Sequence, residues 1–356
     1  MLGIIDWYTG YEISFQFFYF IPLSIIAIND KQKKRYLIIW AFLIALCWFL
    51  ADYYAGHSYS STQLRIWNTA SRFIVFISFV FLVNANVKSR NRIKLINTDL
   101  LRKDKLISDS VAYATNIQNS VIPDYKRFKE FFPKSFIFSK PKDVLSGDFF
   151  WSYTKDNKIT MALADCTGHG IPGALLSVVG IILLNKVVIE KSIESPAEIL
   201  TELNKELVDL FSTGNELIDD GMEMCVVFYD KNTEEMTIAQ TTEGAIIFDD
   251  LGNFTTVNSD IFTIGGILSK HKKVRFSNHQ FKIKKGATLY LFTDGYIDQF
   301  GSTANIKYGI TKFENELKSL HKLTASEQLE ILSNQHQQWK GNLNQTDDIT
   351  VVGINV

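Results

Sequence analysis

Four aspartates stand where apolar runs begin or end: Asp148 in LSGDFFW, Asp165 in ALADCTGHG, Asp294 in LFTDGYID and Asp347, with Asp348 beside it, in QTDDITVVG. Taken singly, each is an ordinary turn residue. FFWSY follows Asp148 and KITMALA leads to Asp165, with Asp156 and Asn157 between them as a hairpin turn. The midpoint of 148 and 165 falls between 156 and 157, so antiparallel pairing about that turn sets the two carboxylates opposite each other. Asp294 ends one strand and Asp347 begins another, and the same reasoning joins them if that pair is antiparallel too. Carboxylates gathered without lysines repel, and a cation is what would hold them. Oxygen ligands select Mg²⁺ or Mn²⁺ over zinc. Two such ions suit in-line hydrolysis of a phosphate ester by a metal-activated water, with no side-chain nucleophile.

The turn after Asp165 carries Gly168, Gly170 and Gly173. Such a turn allows close backbone approach, including that of the Cys166 carbonyl to a metal pair. His169 within it is a candidate general acid, with local packing as the alternative. Other phosphate chemistries fail on the same residues. A P-loop needs lysine and a hydroxyl after its last glycine, where Ala174 and Leu175 stand. A cysteine phosphatase needs an arginine six residues after its nucleophile, and Cys166 is followed there by Pro172.

Elements must deliver these residues, and a chain of 356 residues has room for two or three domains. A net charge of −1 gives no footprint for nucleic acid. Three scattered cysteines, Cys47, Cys166 and Cys225, fit neither a disulfide framework nor a zinc site and point to a reducing compartment. Residues 1–87 hold three charge-poor runs, 13–29, 36–51 and 73–87, each slightly under the roughly 20 residues of a membrane pass. Tyrosines and tryptophans flank them as interfacial anchors. About three transmembrane helices are expected, against the alternative of a soluble three-helix core. Lys31, Lys33, Lys34 and Arg35 fill the first connection and Lys88, Arg90, Arg92 and Lys94 follow the third run, while the second connection has only Arg65. This bias puts everything after residue 88 in the cytoplasm of a multi-pass inner-membrane protein.

Over 88–122 the chain turns polar, and Ile93, Leu100, Ile107, Ala114 and Val121 recur every seven residues. That spacing predicts a coiled-coil linker and a homodimer, or else one amphipathic helix lying on its own domain. Lys103 and Ser110 weaken the seam. Residues 123–356 read as blocks of strands and helices, an α+β layer fold. Helices are expected at 173–190, from a capping box at Ser195 to Glu198, and within 310–339 with a second box at Thr324 and Glu327. MCVVFYD, MTIAQT, AIIFDD, FTTVN, KVRFS, HQFKIK, TLYLFT and ITVVGINV read as strands.

SGDFFW, ADCTGHGIPGALLS, FTDGYID and DDITVV, in this order, resemble the bacterial metal-dependent serine/threonine phosphatases of the PP2C superfamily, in the SpoIIE/RsbU-like branch. The likeness covers roughly residues 110–356. It implies an αββα sandwich with two Mn²⁺ or Mg²⁺ ions held by Asp148, Asp165, the Cys166 carbonyl, Asp294 and Asp347, with Asp348 a lesser candidate. It also implies that the two helices after the glycine turn are a switch moved by the upstream linker. The implied substrate is phosphoserine or phosphothreonine in a regulatory partner such as an anti-sigma-factor antagonist. Glu223 stands where related sequences often have aspartate, and AQTTEGAIIF replaces an asparagine- and glycine-rich strand. These departures bear on substrate selection and on any third metal. Lys140 or Lys142 could supply the phosphate-binding charge for which no arginine is evident. The competing reading is a non-catalytic membrane signalling protein that uses the phosphatase fold to bind a partner.

Overall fold

A computed structural model describes the chain except residues 10–15, 29–33, 57–60, 213–219, 267–273 and 303–304. It divides into two compact units, Met1–Ile107 and Ser108–Val356. The first unit is helical: α1 (Leu2–Thr9), α2 (Phe20–Ile28), α3 (Lys34–Tyr54) and most of the 60-residue α4 (Thr62–Val121). Tyr19, Leu23, Leu37, Ala41, Trp48, Phe76 and Val80 form its core. Arg72, the charge immediately before the third apolar run, lies 3.4 Å over the Trp48 ring, where the aromatic face offsets part of its desolvation. Ile38, Trp40, Phe42, Leu43 and Leu82 face outward, as lipid-facing side chains do.

Three described helices are long and apolar enough to cross a membrane: Tyr36–Tyr54, Thr62–Val121 and Gly170–Glu190. The third belongs to the second unit, where 56% of its apolar window is buried. The run expected at 13–29 appears as a 3-10 turn and the nine-residue α2; its remaining ends lie outside the described residues. The linker expected at 88–122 is the uninterrupted continuation of α4, with Ile93, Leu100 and Ile107 exposed.

The second unit has four layers. α5 (Lys126–Phe131) leads into β1 (Ser135–Lys140), and a hairpin of β2 (Phe149–Lys155) and β3 (Lys158–Cys166) follows. Next come α6 (Gly170–Leu184), a π-helical turn over Asn185–Glu190, and α7 (Pro196–Ser212). The strands β4 (Gly221–Asp230), β5 (Glu235–Gln240), β6 (Ala245–Phe248), β7 (Phe254–Thr256), β8 (Ile264–Gly265), β9 (His279–Lys282) and β10 (Thr288–Phe292) then precede α8 (Ile310–Leu320), α9 (Ala325–Lys340) and β11 (Ile349–Asn355). One sheet runs β1-β11-β10-β6-β7 and the other β2-β3-β4-β5-β9, with β8 on β4.

Three apolar cores show the layering. Leu163, Cys225, Val227, Leu289, Leu291 and Val352 meet between the sheets. Trp151, Ala162 and Val226 pack with Ile181, Leu184, Leu200 and Leu203 of α6 and α7. Tyr290, Phe292 and Val351 pack with Phe313, Leu317 and Leu332 of α8 and α9. Alternate strand residues serve alternate cores, as a pleated strand requires. The fold is an αββα sandwich.

Two local expectations differ. KVRFS forms no strand over its described residues; Val274 and Phe276 are buried against the α6–α7 core from an irregular segment. At α7, Asn278 takes the capping role: its Oδ1 accepts the Ala197 N–H and its Nδ2 donates to the Ser195 hydroxyl. The box at Thr324 and Glu327 is formed in full.

Candidate metal centre

The β2–β3 hairpin pairs Phe149 with Ala164 and Lys155 with Lys158 about Asp156 and Asn157, a register that sets Asp148 against Asp165. Asp156 takes the left-handed conformation, φ 55°, which aspartate tolerates in a tight turn. In the other sheet β10 and β11 are antiparallel, with Phe292 opposite Val351, so Asp294 and Asp347 leave the same end of that pair. The four aspartates thus come from both sheets to one end of the sandwich.

Burial and mutual repulsion push three of these carboxyls, those of Asp148, Asp165 and Asp294, above the ordinary carboxylate range. Asp165 is pushed up first by desolvation and then by Asp148, Asp294, Asp347 and Glu223. Asp148 is pushed up by desolvation, against the opposing hydrogen bond from Thr293. Asp294 is raised to about 6 by desolvation, with Asp298, Asp347 and Glu223 adding to it. Glu223 pairs with Asp165 in the β3–β4 register. Both line a cavity of about 350 Å³ with Glu243 and Asp294.

Asp148 is 4% exposed. Its Oδ2 accepts a 2.6 Å hydrogen bond from the Thr293 hydroxyl, while its Oδ1 is buried with no well-aligned donor, the Thr350 hydroxyl and the Asp165 carboxyl standing close by. A buried carboxylate oxygen lacking a donor is costly; a hard cation is the partner that its chemistry fits. The surrounding donors are all oxygens. Among the described residues no three acidic, histidine or cysteine side chains converge tightly enough to grip an ion as they stand, and like charges repel one another.

The loop 141–147 locks these pieces together. Asp348 Oδ1 accepts the Lys142 N–H at 2.7 Å and Oδ2 the Gly147 N–H at 2.6 Å. Asp348 therefore clamps this loop through both its carboxylate oxygens. A Cβ on Gly147 would sit 2.9 Å from the Gly168 carbonyl oxygen and 3.2 Å from that of Cys166, so only glycine lets the two turns close. Gly168 and Gly170 have φ of 84° and 67°, which glycine adopts freely. His169 Nδ1 lies 2.7 Å from Asp143 Oδ2. Gln118 near the end of α4, also within the second unit, donates to the Ser146 carbonyl at 2.6 Å and to the Ser177 hydroxyl at 2.8 Å. One buried amide thus joins the loop before Asp148 to α6.

The two candidate lysines part company. Lys140 reaches Gln337 of α9 at 3.5 Å, on the face of β1 that carries Phe136 and Phe138 into the outer core; it is not brought to the aspartates. Lys142 stays in the loop beside them. Sequence reading missed Thr293, Gln118 and Asp143, whose partners lie far away in the chain. Of the three, only Thr293 lies inside a quoted motif, FTDGYID.

A sandwich of this topology with acidic groups at one end defines a PP2C-type phosphatase domain. The family model described as Stage II sporulation protein E (SpoIIE) matches residues 155–356, and the chain belongs to that family. Among solved structures, the SiaA-PP2C domain of Pseudomonas aeruginosa is 25% identical, with 71% of this chain and 98% of that one covered and a TM-score of 0.65. The PP2C phosphatase domain with a fragment of the regulatory domain of SpoIIE from Bacillus subtilis shares the fold at 17% identity, a TM-score of 0.50 and 63% of each chain covered. No curated protein matches the chain.

Proposed function

We propose that the protein is a membrane-anchored, metal-dependent protein serine/threonine phosphatase acting on a phosphorylated regulatory partner, such as an anti-sigma-factor antagonist. The observation that carries this reading is the orphaned, buried Asp148 Oδ1 among aspartates delivered by both sheets of a SpoIIE-family domain. Asp148, Asp165, Asp294, Asp347 and the Cys166 carbonyl would hold two Mn²⁺ or Mg²⁺ ions. Bound there, such cations supply hydroxide at neutral pH and neutralise charge on the phosphoryl oxygens. His169, oriented by Asp143, is the residue we assign to protonate the departing seryl or threonyl oxygen. Lys142, whose N–H is held by Asp348, is the lysine we assign to the phosphate.

Control is assigned to the linker helix. Gln118 holds both the loop before Asp148 and Ser177 of α6, so a shift of α4 would move an aspartate and α6 together. Exposed Ile93, Leu100 and Ile107 at heptad spacing support a homodimer through this helix. The apolar helices Tyr36–Tyr54 and Thr62–Val121 support inner-membrane anchoring with the phosphatase domain in the cytoplasm.

The test uses the full chain in detergent micelles. Phosphate release from a phosphoserine peptide and from p-nitrophenyl phosphate is measured with Mn²⁺, Mg²⁺ or chelator, beside Asp165→Asn and Gln118→Ala. Metal-dependent turnover abolished by Asp165→Asn supports the phosphatase. Tight Mn²⁺ binding with no turnover on any phosphoprotein would favour the non-catalytic reading. Wild-type turnover in Gln118→Ala would remove the linker from control.

A further inference from the structure

We infer that Gln299 is a positioning residue that fixes the path of the chain into Asp347 relative to the turn carrying Asp294. Gln299 is wholly buried, 0% exposed, and lies five residues after Asp294. Its Oε1 accepts the Thr346 N–H at 3.1 Å, and its Nε2 donates to the Asn344 carbonyl at 3.1 Å and to the Phe300 carbonyl at 3.1 Å. The side-chain amide thus treats residues 344 and 346 as a neighbouring strand's peptide groups would, accepting from one N–H and donating to the carbonyl two residues away. The segment 341–348 has no strand partner of its own; β11 begins only at Ile349. Gln299 supplies the missing rung, one residue before Asp347.

The rung is itself anchored. The Gln299 carbonyl accepts the Tyr308 N–H at 2.9 Å and the Trp339 indole N–H at 2.9 Å. On the far side of the segment, Gln345 Nε2 donates to the Asp347 carbonyl at 2.8 Å and to the Lys140 carbonyl at 2.7 Å. An amide buried this deeply is tolerated only when its donors and acceptor are filled, and here all are. The fixed frame opposes the mutual repulsion of Asp294 and Asp347 and limits how far they separate before an ion binds. Groups that orient metal ligands in this way typically change metal affinity 10–100-fold when removed.

This inference rests on Asp294 and Asp347 being metal ligands. The test measures Mn²⁺ binding calorimetrically, with thermal melting alongside, on the full chain in micelles. The variants are Gln299→Met, Gln328→Met and Asp347→Asn, with Gln299→Met also placed in the Asp347→Asn background. Gln328 is the control, a buried amide held by the Tyr290 hydroxyl and the Leu323 carbonyl in the outer layer. Gln299→Met is expected to weaken Mn²⁺ about tenfold or more and to add nothing once Asp347 is asparagine. Gln328→Met should lower the melting temperature and leave affinity within about twofold, as a site outside the network does. Unchanged affinity in Gln299→Met, or an equal further loss in the Asp347→Asn background, overturns the inference alone. Absence of Mn²⁺ binding by the wild type overturns the metal centre as well. Should Gln299→Met not fold, Gln299→Glu, which keeps the acceptor for Thr346 and loses the donor to Asn344, is judged by the same criteria.

Discussion

Two buried carboxylates in the same sandwich have opposite surroundings. Glu316 of α8 is 6% exposed and sits among hydroxyls: Tyr308 donates to its Oε2 at 2.6 Å, and the Tyr296 hydroxyl stands 3.2 Å from each oxygen, its one proton shared between them and the Leu332 carbonyl. Asp148 is 4% exposed and keeps one oxygen with no well-aligned donor while other acids crowd it. Burial pushes both carboxyls upward, so burial alone does not separate a structural acid from a functional one. Completion of the hydrogen-bond shell does. Glu316 is met by hydroxyls of its own protein, and Asp148 Oδ1 is met chiefly by other acids.

The comparison breaks most severely if Asp148→Asn leaves the protein active. We expect turnover to fall by about 10³ or more, as for loss of a group on which the whole site's chemistry depends. The metal-free melting temperature should hold or rise, because one repelling carboxylate is gone. Glu316→Ala should do the reverse, costing about 3 kcal/mol in urea unfolding through stranded tyrosine hydroxyls. Its Mn²⁺ affinity should stay that of the wild type. A Glu316 variant that loses metal affinity without losing stability would erase the distinction.

A smaller effect sharpens it. His336 lies in the same outer layer as Glu316, 1% exposed, with both ring nitrogens unpartnered. Desolvation, with Lys140 and Lys340 adding to it, lowers its pKa to about 4. The folded state therefore prefers the neutral ring. Stability is full above the unfolded value of about 6.5 and is lost as pH falls from there towards 4, by on the order of 2 kcal/mol. Melting temperatures at pH 7.5 and pH 5 should differ less in His336→Leu than in the wild type, and equal slopes would exclude His336 as the acid-sensitive group.

Much of this was legible in the sequence where the physics is local. The register of Asp148 against Asp165 followed from counting about Asp156 and Asn157, and the pairing of β2 with β3 has that register. The box at Thr324 and Glu327 lies within four residues and formed. KVRFS alternates like a strand, yet Val274 and Phe276 satisfy that alternation by packing alone. At Ser195 a residue 83 positions away displaced the expected local bond. Asp348, a lesser ligand candidate from the DDITVV resemblance, bonds Lys142 and Gly147, about 200 residues distant, which no local pattern announces. Gly170–Glu190 is apolar enough for a membrane because it is covered by α7 and the sheet. Hydropathy does not say which solvent a helix meets.

The turn at Asp156 and Asn157 has one more consequence, for evolution by insertion and deletion. It is exposed and lies seven strand residues from Asp148, about 23 Å at the usual rise of a strand. Surface turns of this kind ordinarily accept added residues. Here a single added residue, unless the turn absorbed it, would slip the hairpin by one position and send its alternate side chains to the opposite face. Lineages of this domain should therefore vary freely in what the turn is made of and scarcely at all in its length, as though the far end of the hairpin were a ruler for the near one.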